Sequence, residues 1–427
     1  MRLLIGLIAA MLATSASAEK SVVTADRYLD VATGRYVEHP AIFIGDDGRI
    51  SGIADARTVK WGADVRHIDL SGKTLLPGLI DMHVHLDGPA DIGGYRGLEF
   101  TDSFFAMTAV GNARAMLDAG FTTVRNVGSS NRNDIGLKQA IDNGYAIGPR
   151  IVPAGYALGA TGGHCDSTFL PPSLEKAKKE EGVGDGPEEL RHQVRRQRKF
   201  GAEVIKICAT GGVFSRNTEP GQQQLREIEM RAIAEEAHQW GVRVAAHAHG
   251  ADGIKAAIRA GIDTIEHASL VDAEGIRLAV ARKQPVWFTM DIYNTEYTQA
   301  EGKKNGTLED NLRKDREIAQ AQRDQFRAAH RAGVRRVFGS DAGVMPHGQI
   351  GRQFATMVTY GMTPLDAIQA ATRNAAQALG RERDVGAIAV GRFGDMVAVT
   401  GDPLQNVRLL EAPAAVIKSG VLIERAR

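Results

Sequence analysis

The sequence predicts an α/β fold, a (β/α)8 TIM-type barrel with a small composite β-sandwich domain formed from both chain ends. The chain has 427 residues, of which 43% are hydrophobic. This length suits a barrel of about 250 residues plus one accessory unit better than several separate domains. Short apolar runs alternate with helical stretches through the middle of the chain, as in repeated βα units. Strand-like runs separated by Gly and Asp turns occupy both ends.

The two chain ends share the same strand-and-turn pattern. Residues 41–44 form an apolar run before a Gly-Asp turn, and residues 394–399 and 414–423 repeat that pattern near the C-terminus. We therefore expect one β-sandwich assembled from residues 19–75 and 385–427. The barrel is expected over residues 76–384.

The first 18 residues are predicted to be a signal peptide. Met1 and Arg2 precede an apolar run over residues 3–12, and Ala16-Ser17-Ala18 has the small residues of a cleavage site. The run is shorter than the roughly 20 residues of a spanning helix, which makes a membrane anchor the less favoured alternative. We expect a mature chain that begins near Glu19, is secreted across the inner membrane and acts in the periplasm.

The charge balance and the cysteine count limit which classes of partner and cross-link are expected. The 52 basic and 51 acidic residues give a formal net charge of +1, so nothing favours nucleic acid or an anionic membrane, and a small-molecule substrate is expected. Two cysteines, Cys165 and Cys208, are too few for a disulfide framework. We expect them to pack as small apolar residues, although a single bridge between them stays open.

The barrel region contains eight candidate strands, the number that a closed (β/α)8 barrel requires. They cover residues 79–85, 122–126, 150–154, 204–207, 242–247, 264–267, 286–290 and 336–341. Candidate helices cover residues 104–119, 187–200, 228–240, 308–332 and 364–379. Gly120, Gly201, Gly241 and Gly333 each directly follow one of these helices, as a helix C-terminus prefers.

Histidines mark the ends of three candidate strands. His83 and His85 are separated by one residue, so both imidazoles point to the same side of a strand and can chelate one metal. Such a pair alone is more often structural. His247 and His267, however, end two further apolar strands, and four strand-end histidines are hard to explain as packing.

Two more polar residues interrupt apolar strands. Asp341 ends the last strand, on the face where a barrel places its active site. An isolated carboxylate is costly to bury, and a metal relieves that cost. Lys206 faces the same way as the other strand-end groups if side chains alternate regularly. A cationic lysine beside metal ions would be repelled, so we expect it to be neutral or chemically converted.

These motifs together resemble the amidohydrolase superfamily, and the similarity extends over essentially the whole mature chain, from residues 76–85 to residues 391–395. The resemblance implies two divalent metal ions. Histidine and carboxylate ligands suit zinc, but would also accept manganese or cobalt. The implied ligands are His83 and His85 for the first metal, His247 and His267 for the second, Asp341 for the first, and Lys206, carboxylated by carbon dioxide, as the bridge.

The resemblance also implies a mechanism. Two metals about 3.5–4 Å apart share a bridging hydroxide at neutral pH, because each lowers the pKa of bound water. The hydroxide attacks the amide carbonyl, while Asp341 as general base accepts its proton and passes it to the departing amine. Tyr293 and His249 are candidate hydrogen-bond donors to the oxyanion, and His164 is a candidate substrate contact. A structural role for each of these three stays open.

Three further segments are similar to bacterial prolidase-like dipeptidases and carboxypeptidases, a group that includes the ochratoxin-degrading amidohydrolase. These are residues 159–167, 206–215 and 290–295. The similarity implies a homo-oligomer that cleaves a peptide-like amide next to a C-terminal amino acid, in a dipeptide, an N-acyl amino acid or ochratoxin A. One alternative is a cyclic-amide hydrolase of the imidazolonepropionase type. Another is a non-catalytic oligomeric scaffold, disfavoured because its polar strand ends would destabilise the core without metals.

Overall fold

The computed structural model describes residues 19–171, residue 173 and residues 181–424. The predicted signal peptide, residues 1–18, lies outside the described residues. None of the helices in these ranges combines the length and the apolarity needed to cross a membrane.

Strands and helices follow one another in the order that the sequence predicts. In the described ranges the strands are β1 (Glu19–Asp30), β2 (Arg35–Glu38), β3 (Pro40–Gly45), β4 (Ile50–Asp55), β5 (Arg66–Pro77), β6 (Leu79–Val84), β7 (Phe121–Asn126), β8 (Arg150–Pro153), β9 (Val204–Cys208), β10 (Arg243–Ala248), β11 (Thr264–His267), β12 (Trp287–Thr289), β13 (Arg336–Val337), β14 (Met396–Val399), β15 (Ala415–Lys418) and β16 (Val421–Leu422). The α-helices are α1 (Asp102–Asp118), α2 (Asn133–Asp142), α3 (Pro187–Phe200), α4 (Glu227–Gln239), α5 (Ala251–Ala260), α6 (Ala273–Ala281), α7 (Asn294–Asn305), α8 (Glu309–Arg331), α9 (Arg352–Thr359), α10 (Pro364–Ala370) and α11 (Arg373–Leu379).

Both chain ends build one unit. Strands β16, β15, β14, β5, β1, β3 and β4 lie side by side in that order, and β2 pairs with β1. The C-terminal segment joins through β14, which runs antiparallel to β5 with Met396 opposite Pro77. Apolar side chains from both ends share one core cluster that includes Ile42, Leu75 and Ile417. The two chain ends thus combine in one unit, as predicted, and its strands form a single eight-stranded sheet. The predicted domain boundaries stay a prediction.

The eight strands β6 to β13 form the barrel. They pair in parallel as one ladder of three strands, β6-β7-β8, and one of five, β9 to β13. Backbone hydrogen bonds cross both seams between the ladders. Leu158 N–H donates to Lys206 O at 2.8 Å, and Asp341 N–H donates to His83 O at 2.9 Å. All eight predicted strands are present, and the parallel α/β architecture is confirmed.

One of the predicted helices is divided in two. Residues 364–379 form two helices, α10 and α11, because the backbone of Thr372 leaves the helical region, with φ −135° and ψ −100°. The Thr372 hydroxyl donates to Ile368 O at 2.6 Å and so competes for a carbonyl of the preceding turn. Helices α2, α5, α6, α7 and α9 are additions to the predicted set.

Cys165 and Cys208 form a disulfide with their Cα atoms 5.7 Å apart, a separation typical of such bonds. The expectation that they pack as separate apolar residues is wrong. Cys165 lies in the loop after β8, and that loop returns to the end of β9, where Cys208 stands. The disulfide thereby ties this loop to the strand that carries Lys206.

Candidate metal centre

The six predicted metal ligands meet at the carboxyl ends of the barrel strands. They line one cavity of about 630 Å³. Burial is nearly complete for His83, Lys206, His247 and His267, which are each at most 5% exposed. Because β6, β9, β10, β11 and β13 are neighbours around one barrel, residues distant in sequence converge on a single site.

His83, His85 and Asp341 make the first ligand group. Asp341 Oδ1 lies 3.4 Å from His83 Nε2 and 3.5 Å from His85 Nε2. Ligand atoms about 2.1 Å from a tetrahedral metal are separated by about 3.4 Å. Both distances from the carboxylate oxygen therefore fit donors that share one divalent metal ion.

Hydrogen bonds orient both imidazoles of this group. His83 Nδ1–H donates to Glu266 Oε2 at 2.9 Å, and His85 Nδ1–H donates to Gly128 O at 3.0 Å. A proton held on Nδ1 leaves the lone pair of Nε2 available, and the partner fixes the plane of the ring. Both Nε2 atoms lie near Asp341, so the two rings are oriented as metal binding would require.

The second ligand group contains His247, His249 and His267. His267 Nδ1 lies 2.8 Å from Asp291 Oδ1, and His249 Nδ1 lies 2.7 Å from Ser269 Oγ. In these two rings Nε2 remains for a metal. In His247 the two ring nitrogens have the opposite roles. Nε2 lies 3.1 Å from Gly211 O, which leaves Nδ1 as the nitrogen available to a metal.

Lys206 lies beside the first group, with Nζ 3.5 Å from His83 Nε2. Burial lowers the pKa of Lys206 to about 8, although Glu266 and Asp341 act in the opposite direction. The amine therefore loses its proton at a lower pH than an ordinary lysine does. The direction of this shift favours the neutral form, and conversion of the lysine stays a prediction.

Sequence reasoning missed the buried ion pair behind His83. Glu266 is fully buried and accepts a hydrogen bond from Arg125 Nη2 at 2.8 Å in addition to the one from His83. Arg125, itself 1% exposed, also donates to Met82 O. A glutamate directly before a strand-end histidine was the available signal, since a buried carboxylate needs a partner.

Asp291 and Asn294 were also missed as site residues. Asn294 Nδ2 donates to Asp291 Oδ2 at 2.6 Å and to Asp341 Oδ2 at 3.3 Å, so one amide links the supports of both ligand groups. Burial raises the pKa of Asp291, although His267 opposes the shift. Burial acts the same way on Asp341, but the surrounding imidazoles, His83 first, hold its pKa below the usual value.

Two of the candidate ligands adopt a strained backbone. His267 has φ 66° and Asp341 has φ 57°, both in the left-handed region. For residues other than glycine this conformation costs about 1–3 kcal/mol and persists where the surrounding structure imposes it, often at functional sites. Each of the two ligand groups contains one such residue, which favours a functional reason for the strain.

Two of the three predicted substrate residues line the cavity, and the third is buried beside it. His164 and His249 line the cavity. The His164 ring packs on His247 with the centroids 4.2 Å apart, and burial lowers the pKa of His164 to about 3. Tyr293 is buried, and its hydroxyl accepts a hydrogen bond from Arg352 at 3.1 Å. Among the described residues that line the cavity, the next residue, Asn294, is present and Tyr293 is not.

Comparison with known proteins identifies the family. The profile of the Amidohydrolase family matches residues 74–423, a range that contains all eight barrel strands. The chain belongs to this family. The ochratoxinase of Aspergillus niger is 31% identical over 362 residues, covering 80% of this chain and 73% of the relative. The predicted superfamily and the prediction of a hydrolase are thereby confirmed.

Solved structures agree over almost the whole chain. A Xaa-Pro dipeptidase with bound methionine in the active site is 34% identical, with a TM-score of 0.85 over 95% of this chain and 99% of that one. A prolidase complexed with N-methylphosphonate-L-proline is 31% identical, with a TM-score of 0.86 over 95% of this chain and 100% of that one. The A. niger ochratoxinase structure is 28% identical, with a TM-score of 0.84 over 95% and 96%. The chain is thus a hydrolase of a family that acts on small molecules and generally binds divalent metals.

Proposed function

We propose that this chain is a binuclear metal-dependent amidohydrolase that cleaves a peptide or peptide-like amide next to a C-terminal amino acid. The observation that carries the proposal is the pair of adjacent ligand groups in one cavity, His83-His85-Asp341 and His247-His249-His267. Divalent metals bound there supply activated water at neutral pH and polarise the substrate carbonyl. Nitrogen and oxygen ligands favour zinc.

Lys206 completes the ligand set as a carbamate. The neutral amine forms an N–C bond with carbon dioxide and releases one proton. The product is an anionic carbamate, whose two oxygens stand where a protonated lysine would have its ammonium group. The low pKa of the buried amine supports this reaction. The product removes the repulsion that a protonated lysine would exert on metal ions beside His83.

The chain's own groups move and hold protons. Asp341 accepts the proton of the attacking water and donates it to the departing amine nitrogen. Asn294 holds Asp341 Oδ2 by its amide, so the carboxylate keeps its orientation while it changes protonation. His164 is neutral at physiological pH and offers a ring nitrogen to the substrate at the cavity wall.

The substrate class follows from the cavity and from the relatives. A cavity of about 630 Å³ lies within the range of about 300–1,000 Å³ that small-molecule sites occupy. Two similar structures hold an amino acid or a proline derivative, and a third relative is an ochratoxinase. Dipeptides, N-acyl amino acids and ochratoxin A, each with a free C-terminal carboxylate, are therefore the candidate substrates.

We also propose that the protein is exported to the periplasm. The Cys165–Cys208 disulfide supports this location, because such bonds persist in oxidising compartments and are rare in the cytosol. Self-association into a homo-oligomer stays a prediction.

The proposed reaction is tested with a matched substrate panel and the metal-loaded mature protein. The panel pairs dipeptides and N-acyl amino acids with the same compounds carrying a blocked C-terminal carboxylate, and adds cyclic amides. Turnover of the free acids that is weakened by blocking and lost in Asp341→Asn would support the proposal. Turnover confined to cyclic amides would contradict it and favour the imidazolonepropionase-type alternative.

A further inference from the structure

A second cavity lies at the opposite end of the barrel from the metal centre. Its volume is about 250 Å³, and its wall is formed by the first residues of β12 and β13 together with residues of α10 and α11. Arg336 opens β13, and the chain reaches the metal ligand Asp341 five residues later. The two cavities are therefore at the two ends of the same barrel segment.

The charges around this second cavity are unbalanced. Arg335, Arg336 and Arg373 line it, together with a single carboxylate, Asp366, which gives a formal net charge of +2. Asp366 Oδ2 lies 4.0 Å from His330 Nε2, and none of the three arginines forms an ion pair with a residue that the structure describes. The carboxylate of Asp366 is already engaged, because its Oδ2 accepts hydrogen bonds from Thr363 N and Oγ1 at 3.1 and 2.7 Å at the start of α10.

Arg336 is the central feature of the cavity. It is 8% exposed, and its guanidinium contacts His330 through Nη2 and lies 5.4 Å from the Phe326 ring centroid. Its Nε and Nη1 atoms, and Nε of Arg373, are buried without an acceptor among the described residues. Buried donors without an acceptor cost stability, and the cost is larger for a charged group.

Burial lowers the pKa of Arg336 to about 10, although the charge of Asp366 acts in the opposite direction without forming an ion pair with it. The side chain nevertheless remains a cation at neutral pH. Arg125, the other arginine that is buried among the described residues, pairs with Glu266, and the partly buried Arg150 pairs with Asp395. A cation that is buried and unpaired, and that borders a cavity, favours an anion as its missing partner.

We propose that this cavity is a binding site for a phosphate-type oxoanion, either inorganic phosphate or a small phosphate monoester. Guanidinium groups present N–H donors in a planar fork that matches phosphate oxygens. A phosphate dianion balances the net charge of +2, which a single carboxylate does not. The side-chain amides of Asn374 and Gln377 supply further donors at the wall.

A bound anion would stabilise the folded protein without touching the metal centre. Binding to the folded state alone raises the free energy of unfolding in proportion to the logarithm of ligand concentration above the dissociation constant. The proposal is independent of the reaction at the other end of the barrel. It predicts saturable phosphate binding whether or not the protein hydrolyses amides.

The experiment is a titration of the full mature protein with inorganic phosphate by calorimetry, at constant ionic strength with chloride as the replacement anion. Glycerol phosphate and acetate are titrated in parallel. The test variant is Arg335→Gln with Arg373→Gln, which leaves the most buried arginine in place and so protects the fold. Arg331→Gln is the matched control, because it makes the same change at an exposed arginine of α8 that does not line the cavity.

We expect phosphate to bind with at least about tenfold lower affinity in the double variant than in the wild type or the control, since losing about 1.4 kcal/mol of charged hydrogen bonding changes affinity tenfold. Tighter binding of glycerol phosphate would identify a monoester as the occupant, and tighter binding of phosphate would identify the free ion. Equal phosphate affinity in the double variant would place binding at the metal centre and overturn the proposal. Absence of saturable binding, or equal binding of acetate, would also overturn it.

Discussion

Replacing Glu266 with glutamine separates the role of this carboxylate in metal binding from its role in the fold. The side chain accepts a hydrogen bond from His83 Nδ1 at 2.9 Å and another from Arg125 Nη2 at 2.8 Å, and it is fully buried. Glutamine has nearly the same volume but no charge. The substitution therefore leaves the packing in place, removes the anion behind a metal ligand, and leaves Arg125 without its counter-charge.

Both effects have an expected magnitude. Loss of a carboxylate partner of a ligating histidine lowers metal affinity or activity by about 10–100-fold, which is about 1.4–2.7 kcal/mol. Breaking a buried ion pair by removing one partner costs about 3–5 kcal/mol. Glutamine keeps one acceptor oxygen for Arg125, so we expect the free energy of unfolding of metal-free protein to fall toward the lower end of that range.

Two assays on the same preparation measure these effects. Competition with a chromophoric chelator gives zinc affinity, and urea unfolding of the metal-free protein gives stability. Glu236→Gln is the matched control, because Glu236 is 3% exposed and pairs with Arg195 away from any histidine ligand. The control is expected to keep the wild-type zinc affinity.

One result would refute the reasoning about the metal. If Glu266→Gln lowers stability but binds zinc as tightly as the wild type, the carboxylate stabilises the fold through Arg125 and does not affect metal binding by His83. An equal loss of zinc affinity in Glu236→Gln would show that the effect is general destabilisation.

Three other predictions concern the cavity wall and the fold. Reducing the Cys165–Cys208 bridge, whose cysteines are 43 residues apart, should lower the free energy of unfolding by at most about 4 kcal/mol, measured by urea unfolding with and without reductant. Asn294→Ala should lower kcat about tenfold with little change in KM, because the amide holds both site carboxylates but not the substrate. Burial, with Arg150 adding to it, lowers the pKa of Lys418 to about 8 from 10.5, so the unfolded chain binds more protons between these pH values. Stability of the wild type relative to Lys418→Met should therefore rise across this window, by at most about 3 kcal/mol, and be constant below it.

Each of these predictions has an outcome that contradicts it. Unchanged stability after verified reduction would mean that the disulfide does not constrain the unfolded chain. A higher KM in Asn294→Ala at unchanged kcat would indicate that the side-chain amide of Asn294 contacts the substrate. A parallel pH profile for wild type and Lys418→Met would show that the lysine is not desolvated in the folded protein.

The barrel and the convergence of the six candidate ligands on one cavity could be predicted because each signal is local. Polar residues such as Lys206 and Asp341 stand in short apolar strands, and strand periodicity alone places their side chains on one side. Parallel strands of one barrel then bring all their carboxyl ends to the same face. No long-range geometry was needed for that step.

The supporting residues could not be predicted because their role depends on distance across the barrel. In the sequence, Arg125 looks like an ordinary polar residue of a strand. Only its 2.8 Å hydrogen bond to Glu266 shows that it is the counter-charge of that carboxylate. Likewise, the segment around Tyr293 was recognised, but the direction of its side chains was not, so Asn294 rather than Tyr293 faces the cavity. The disulfide required the loop after β8 to return to β9, which no sequence periodicity encodes.

The count of metal ions bound per chain tests the central claim most directly. Elemental analysis of the purified mature protein should give two divalent equivalents, and Lys206→Ala should lose bound metal and amide hydrolysis together. Lys304→Ala, whose side chain is 82% exposed, should match the wild type in both. A single equivalent in the wild type, or a Lys206→Ala variant that is metal-replete and fully active, would contradict the account.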